Sequence, residues 1–106
     1  MNIFKKKLTV NEAINAAHTS ANAMLIDCRT KEEFRHGHVG GCVNIPLDRM
    51  TEDYLSRRIP DKEKILYIIG SYQNRSEKAV RALKKAGYKH AVFGGYMEEH
   101  FGILKK

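Results

Sequence analysis

Short apolar runs alternate along this chain with segments whose apolar residues recur at helical spacing. Ala23 to Ile26 and Ile65 to Ile69 are continuously apolar, as strands covered on both faces of a parallel sheet are. Cys42 to Pro46 reads as a further extended, buried run that Pro46 stops. His90 to Phe93 reads as another, closed by Gly94-Gly95, and Lys7 to Val10 as a short first strand. The helical segments carry their own punctuation. Thr9-x-x-Glu12 is a capping box ahead of a Val10, Ala13, Ile14, Ala17 stripe, and Thr30-x-x-Glu33 opens a short helix through Phe34 and Arg35.

Leu47 to Arg58 predicts a helix ending before Pro60. Asn74 predicts an N-cap, with Glu77 completing a box, for a helix that turns Ala79, Val80 and Leu83 inward and is capped by Gly87. Tyr96 to Leu104 predicts a terminal helix with Met97, Phe101 and Leu104 inward. Strands and helices alternate throughout, with neither repeat nor linker. The pattern predicts one α/β domain over residues 1–106, a parallel sheet with helices on both faces and right-handed crossovers.

Composition narrows the class. A chain of 106 residues with 42% hydrophobic and 29% charged residues is long enough for a single core. No apolar run is long enough to span a bilayer. Met1 to Lys7 is basic, but no apolar region or small-residue cleavage site follows, which predicts no signal peptide and a cytoplasmic protein. Two cysteines make no disulfide framework. The net charge of +7 is scattered, at Lys5 to Lys7, Arg57-Arg58, Lys84-Lys85 and Lys105-Lys106, and acidic residues interrupt it. That pattern is a solvated surface biased toward anionic small molecules or acidic partners, not a nucleic-acid face.

The candidate chemistry lies where the central apolar run ends. A strand that turns through Gly70 and Ser71 into a helix N-terminus aims backbone N–H groups and the positive dipole end at one point, an anion cradle. The candidate anion-binding loop is Gly70, Ser71, Tyr72, Gln73, Asn74, Arg75 and Ser76. Arg75 offers a guanidinium fork to a tetrahedral oxyanion, or else pairs with a nearby carboxylate. Asp27 and Arg29 line the pocket, or else form a structural salt bridge at a strand end. Cys28, His36, His38 and Cys42 have the atom types of a zinc site, but their spacing matches no ligand pattern, so neither metal nor other cofactor is expected.

Asp27-x-Arg29, Glu33-Phe34, Gly37-His38-Val39, Gly41, Asn44-Ile45-Pro46, a loop ending Arg75-Ser76, and Gly94-Gly95 together resemble the rhodanese (thiosulfate and persulfide sulfurtransferase) homology domain. The resemblance covers nearly the whole chain. It implies a three-layer α/β/α fold with a five-stranded parallel sheet, and an active loop Cys-x4-Arg whose cysteine becomes a persulfide. Counted back from Arg75, the cysteine position holds Gly70. Glycine has nothing to attack with, and the Ser71 hydroxyl, with no base placed beside it by sequence, stays protonated near neutral pH. Glu99 falls near where relatives often carry tryptophan.

Two expectations follow. The first is a non-catalytic module that binds a small oxyanion or a protein, such as a sulfur-carrying partner. The second is a sulfurtransferase that uses Cys28 or Cys42, although both cysteines fit better as buried structural thiols.

Overall fold

In the computed structural model, which describes residues 8–106, four parallel strands form a sheet between helical layers. Helix α1 (Val10–His18) leads into strand β1 (Ala23–Asp27), helix α2 (Lys31–His36) and strand β2 (Val43–Asn44). A 3-10 turn, Leu47–Arg49, precedes helix α3 (Glu52–Arg58) and strand β3 (Ile65–Gly70). Helix α4 (Arg75–Lys85), strand β4 (Ala91–Tyr96) and a second 3-10 turn, Met97–Glu99, complete the order. The strands lie in the order β2-β1-β3-β4.

The alternation of side chains across the pleat explains why both sheet faces are covered. Leu66 and Ile68 of β3 and Met24 and Ile26 of β1 enter one core with Leu55, Ile59, Ala79, Leu83 and the fully buried Tyr88. Leu25, Tyr67 and Ile69 enter the other with Val10, Ala13, Ile14 and Ala17 of α1. Burying one such aliphatic side chain contributes about 1.5–3 kcal/mol, so the two strands carry much of the fold's stability.

Local signals set several boundaries. Both threonine capping boxes form: Thr9 with Glu12 and Thr30 with Glu33. Gly87 follows α4 at φ 103, the left-handed conformation that ends a helix at least cost to glycine. Gly95, at φ 93, lets α1 pack onto β4, since a Cβ there would lie 2.4 Å from the Val10 nitrogen.

Six expectations are corrected. The sheet has four strands among the described residues, not five. Lys7 lies outside them, Leu8 and Thr9 form no strand, and Val10 opens α1. The helix over Leu47 to Arg58 is broken, because the Thr51 hydroxyl accepts from the Tyr54 amide and starts α3 afresh. The Asn74–Glu77 box does not form. Asn74 sits at the N-cap in a left-handed conformation, φ 64, and its side chain makes no capping bond. Strand β4 runs through Gly94-Gly95 to Tyr96 rather than stopping before them.

The sixth is the terminal helix, which is only the 3-10 turn; the segment after it is irregular and bends at Gly102, φ 125. The Asn11 side chain grips the backbone of Phe101 from both sides, at 3.0 and 3.1 Å. His38 and Lys105 exchange backbone hydrogen bonds of 2.9 and 2.8 Å. These bonds hold residues 100–105 as a strap that leaves Phe101 81% exposed instead of inward, while Met97 packs partly buried against the α1 core.

Candidate functional site

The strand order turns between β1 and β3, and ligands of open α/β sheets bind beyond the strand carboxyl ends at such a point. Asp27-Cys28-Arg29 follows β1 there, and the loop from Gly70 follows β3. Asp27 is fully buried. Its carboxylate accepts from the Arg29 amide at 2.9 Å, from Arg29 Nε at 3.1 Å and from Nη2 at 2.8 Å. The same Nη2 donates to the Gly37 carbonyl at 2.7 Å, and Asn44 Nδ2 donates to the carbonyls of Asp27 and Arg29. The pair is thus a clasp that ties the turn after α2 and strand β2 to β1. Arg29 alone of the two also faces the cleft.

Arg75 is bound as well. Its Nη1 and Nη2 donate in parallel to Glu33 Oε1 and Oε2, each at 2.7 Å, the fork geometry that guanidinium and carboxylate favour. Glu33 is held in place by the Thr30 capping box at the start of α2. The Arg75 bond, with further help from Thr30, draws the Glu33 carboxyl down from the ordinary 4.5 to about 2. Of the two roles open to Arg75, the pairing with a carboxylate is the one formed.

At Gly70 there is no empty cradle. A Cβ built on it would lie 2.5 Å from Ser76 Oγ, 2.7 Å from the Ser76 amide nitrogen and 2.9 Å from Cys28 Sγ. The fully buried Ser76 hydroxyl donates to the Gly95 carbonyl at 2.9 Å and so pins the helix start against β4. Cys28 is 1% exposed, with its thiol 3.6 Å from the Arg75 carbonyl as donor. Burial first, then the neighbouring Asp27 carboxylate, push this thiol up to about 12. Cys42 is half-buried and pushed up for the same two reasons. Neither sulfur is a thiolate at neutral pH.

Between Gly70 and α4 the loop turns through two consecutive left-handed residues, Gln73 at φ 72 and Asn74 at φ 64. Both are exposed, whereas Ser71 is buried at the loop's start. Tyr72 is 48% exposed and sets its ring edge-on to Tyr96, centroids 5.0 Å apart. The Tyr72 amide donates to both carboxylate oxygens of Glu98, at 3.2 and 3.1 Å. A cleft of about 360 Å³ opens beside the loop, lined by Arg29, Glu33, Gly37, Ser71, Glu98 and Leu104 among others.

The loop from Gly70 and both arginines lie at the carboxyl ends of β1 and β3, and two carboxylates that the spacing does not single out for the site, Glu33 and Glu98, join them there. Glu33 is legible as half of a capping box and in the Glu33-Phe34 motif, but not as the partner of Arg75, 42 positions away. Glu98 carried no local signal, because its partner Tyr72 lies 26 positions away. The residues weighed for zinc do not converge. His36 and His38 donate through Nδ1 to the carbonyls of Glu32 and Phe34, and His38 stacks on the Phe34 ring at 3.7 Å. Among the described residues no three His, Cys, Asp or Glu side chains are grouped to hold a metal, and no helix is long and apolar enough to cross a membrane.

Comparison with known proteins agrees with this geometry. The rhodanese-like domain family matches residues 9–98. The chain is 28% identical over 97 residues to the thiosulfate sulfurtransferase PspE of Escherichia coli, covering 92% of each protein. It is 32% identical over 89 residues to the putative sulfur carrier protein YrkF of Bacillus subtilis, with 84% of this chain spanning 42% of that one. Among solved structures it is similar to a rhodanese with anions from E. coli, with a TM-score of 0.69 and 26% identity over 79% of this chain and 98% of the other.

Proposed function

We propose, starting from the fact that this chain belongs to the rhodanese-like domain family, that it is a non-catalytic member whose loop from Gly70 to Ser76 receives an anionic group. The group is a small oxyanion or is presented by a protein, for instance one that carries sulfur. One observation carries this reading: at the position that needs a nucleophile the chain has Gly70, and the space its side chain would take is filled by Ser76 and Cys28. Sulfur transfer needs a thiolate that can both attack and leave. Neither Ser71 nor Ser76 supplies one. The features that remain are those of a receptor: the N-terminus of α4, the Tyr72 amide, and a cleft with Arg29 on its wall.

A sulfurtransferase using Cys28 is the second reading, and one observation favours it. Cys28 Sγ is the sulfur that stands nearest the position of the missing side chain. Its burial and its raised pKa weigh against it. The two readings part in a thiosulfate–cyanide turnover assay run on the wild type and on Cys28→Ser. The expected result is no thiocyanate above the buffer rate from either protein. Turnover by the wild type that disappears in Cys28→Ser would overturn the non-catalytic reading. The cytoplasmic placement belongs to this proposal too, as it rests on the free thiols and on the sequence, and fractionation of cells tests it.

A further inference from the structure

Two donor groups of the loop are already held by carboxylates of the chain itself. Glu33 takes both outer nitrogens of Arg75, and Glu98 takes the Tyr72 amide with both of its oxygens. The two contacts differ in kind. Glu33 is anchored by the Thr30 box and draws a well-formed fork, so it is part of the frame. Glu98 is exposed, sits on the Met97–Glu99 turn, and reaches the loop with its side chain alone. It lies close enough to Arg75 to raise that guanidinium's pKa, though less than Glu33 does. A carboxylate held on a loop N–H beside an arginine is where an arriving anion would sit.

We propose that Glu98 is an internal stand-in for the loop's ligand, a cap that an external anion must displace. The inference rests on the reading of the loop as an anion receptor and adds its regulation. The cap forms part of the cleft's lining. Met97, Glu98 and Leu104 all line the cleft, and the strap that carries Leu104 is held by the backbone exchange of His38 with Lys105. Affinity for the anion is scaled down to the fraction of time the cap is open, and removal of the cap restores it.

The test uses thiosulfate as probe, titrated into the wild type, Glu98→Ala and Glu98→Gln while backbone amide signals are followed by NMR. Position 98 is exposed, so neither substitution disturbs the core. Without thiosulfate, Glu98→Ala should move the Tyr72 amide proton and speed its exchange with solvent. With it, Glu98→Ala should bind about tenfold more tightly than the wild type, the gain for a cap closed about nine-tenths of the time. Glu98→Gln should fall between, keeping an oxygen for the amide but no charge. Equal binding by all three proteins at the Tyr72 to Ser76 amides overturns the cap and leaves the receptor reading standing. No perturbation of those amides in any of the three overturns both.

Discussion

Cys28 Sγ stands 2.9 Å from the point where a Cβ on Gly70 would lie. About 3 Å is also the separation of a Cβ from the far sulfur of a disulfide, given an S–S bond near 2.05 Å and its angle. A cysteine restored at position 70 would therefore meet a thiol before it met a substrate. Mild oxidation of Gly70→Cys should give an intramolecular disulfide with Cys28, seen as the loss of two hydrogens in the intact mass and of both thiols to a thiol reagent. Gly70→Cys combined with Cys28→Ala should instead keep one reactive thiol. If the single variant retains a free, readily alkylated thiol after oxidation, the two positions are not as close as described.

Adding even one carbon at position 70 should be costly. The Ser76 amide, 2.7 Å from that carbon, is backbone at the start of α4 and cannot swing aside as a side-chain tip can. Gly70→Ala should lower stability by about 1–3 kcal/mol, the usual cost of overpacking, in urea unfolding. An unchanged midpoint would mean that the loop is softer than its contacts imply.

The wild-type thiol of Cys28 should be inert in the folded protein. With its pKa at about 12 rather than the ordinary 9.0, it holds roughly a thousandfold less thiolate at pH 8. Iodoacetamide should leave it unmodified in native buffer and label it fully in urea. Peptide mapping reads the result directly. Native labelling at the rate of an exposed cysteine would contradict the burial.

Breaking the Asp27–Arg29 clasp from the arginine side should cost more than breaking it from both. Arg29→Ala leaves a fully buried carboxylate with only the backbone amide of residue 29 as donor and should destabilise by about 3–5 kcal/mol. Asp27→Asn with Arg29→Ala should recover part of that loss. Thermal unfolding of the three proteins decides it, and a double variant no better than Arg29→Ala would refute the clasp as an electrostatic unit.

The Arg75–Glu33 fork should show in acid. Glu33 titrates at about 2 in the fold against 4.5 as the ordinary value, so its contribution is present above pH 4.5 and is lost as pH falls toward 2. The side chain is 39% exposed, and solvent screening holds the contribution to about 1 kcal/mol. The stability difference between the wild type and Glu33→Gln should be largest near pH 6 and close between pH 4.5 and 2. A constant difference across that window would point to a role for Glu33 in helix capping alone.

What the sequence revealed and what it withheld divide along physical lines. Thr9 with Glu12, and Thr30 with Glu33, are bonds between residues three apart, so the capping boxes could be read from spacing. The apolar runs of β1 and β3 announced two buried faces for the same reason. The helix at Leu47 to Arg58 was misread because its apolar residues keep helical spacing across the break, while the hydroxyl of Thr51 decides where the turn restarts. The terminal strap was out of reach, since Asn11 holds Phe101 across 90 positions. Within the site, position 70 and the two arginines could be counted out from motif spacing. The carboxylates that occupy the donors needed the folded chain to be seen.

Gln73 and Asn74 give the bend before α4 its course through their own backbone angles. That bend brings the start of α4 back against Gly70 so closely that no side chain fits there. Any side chain at position 70 would have to push back the backbone that begins α4, so the loop's close packing and a reactive group at that position compete for one space.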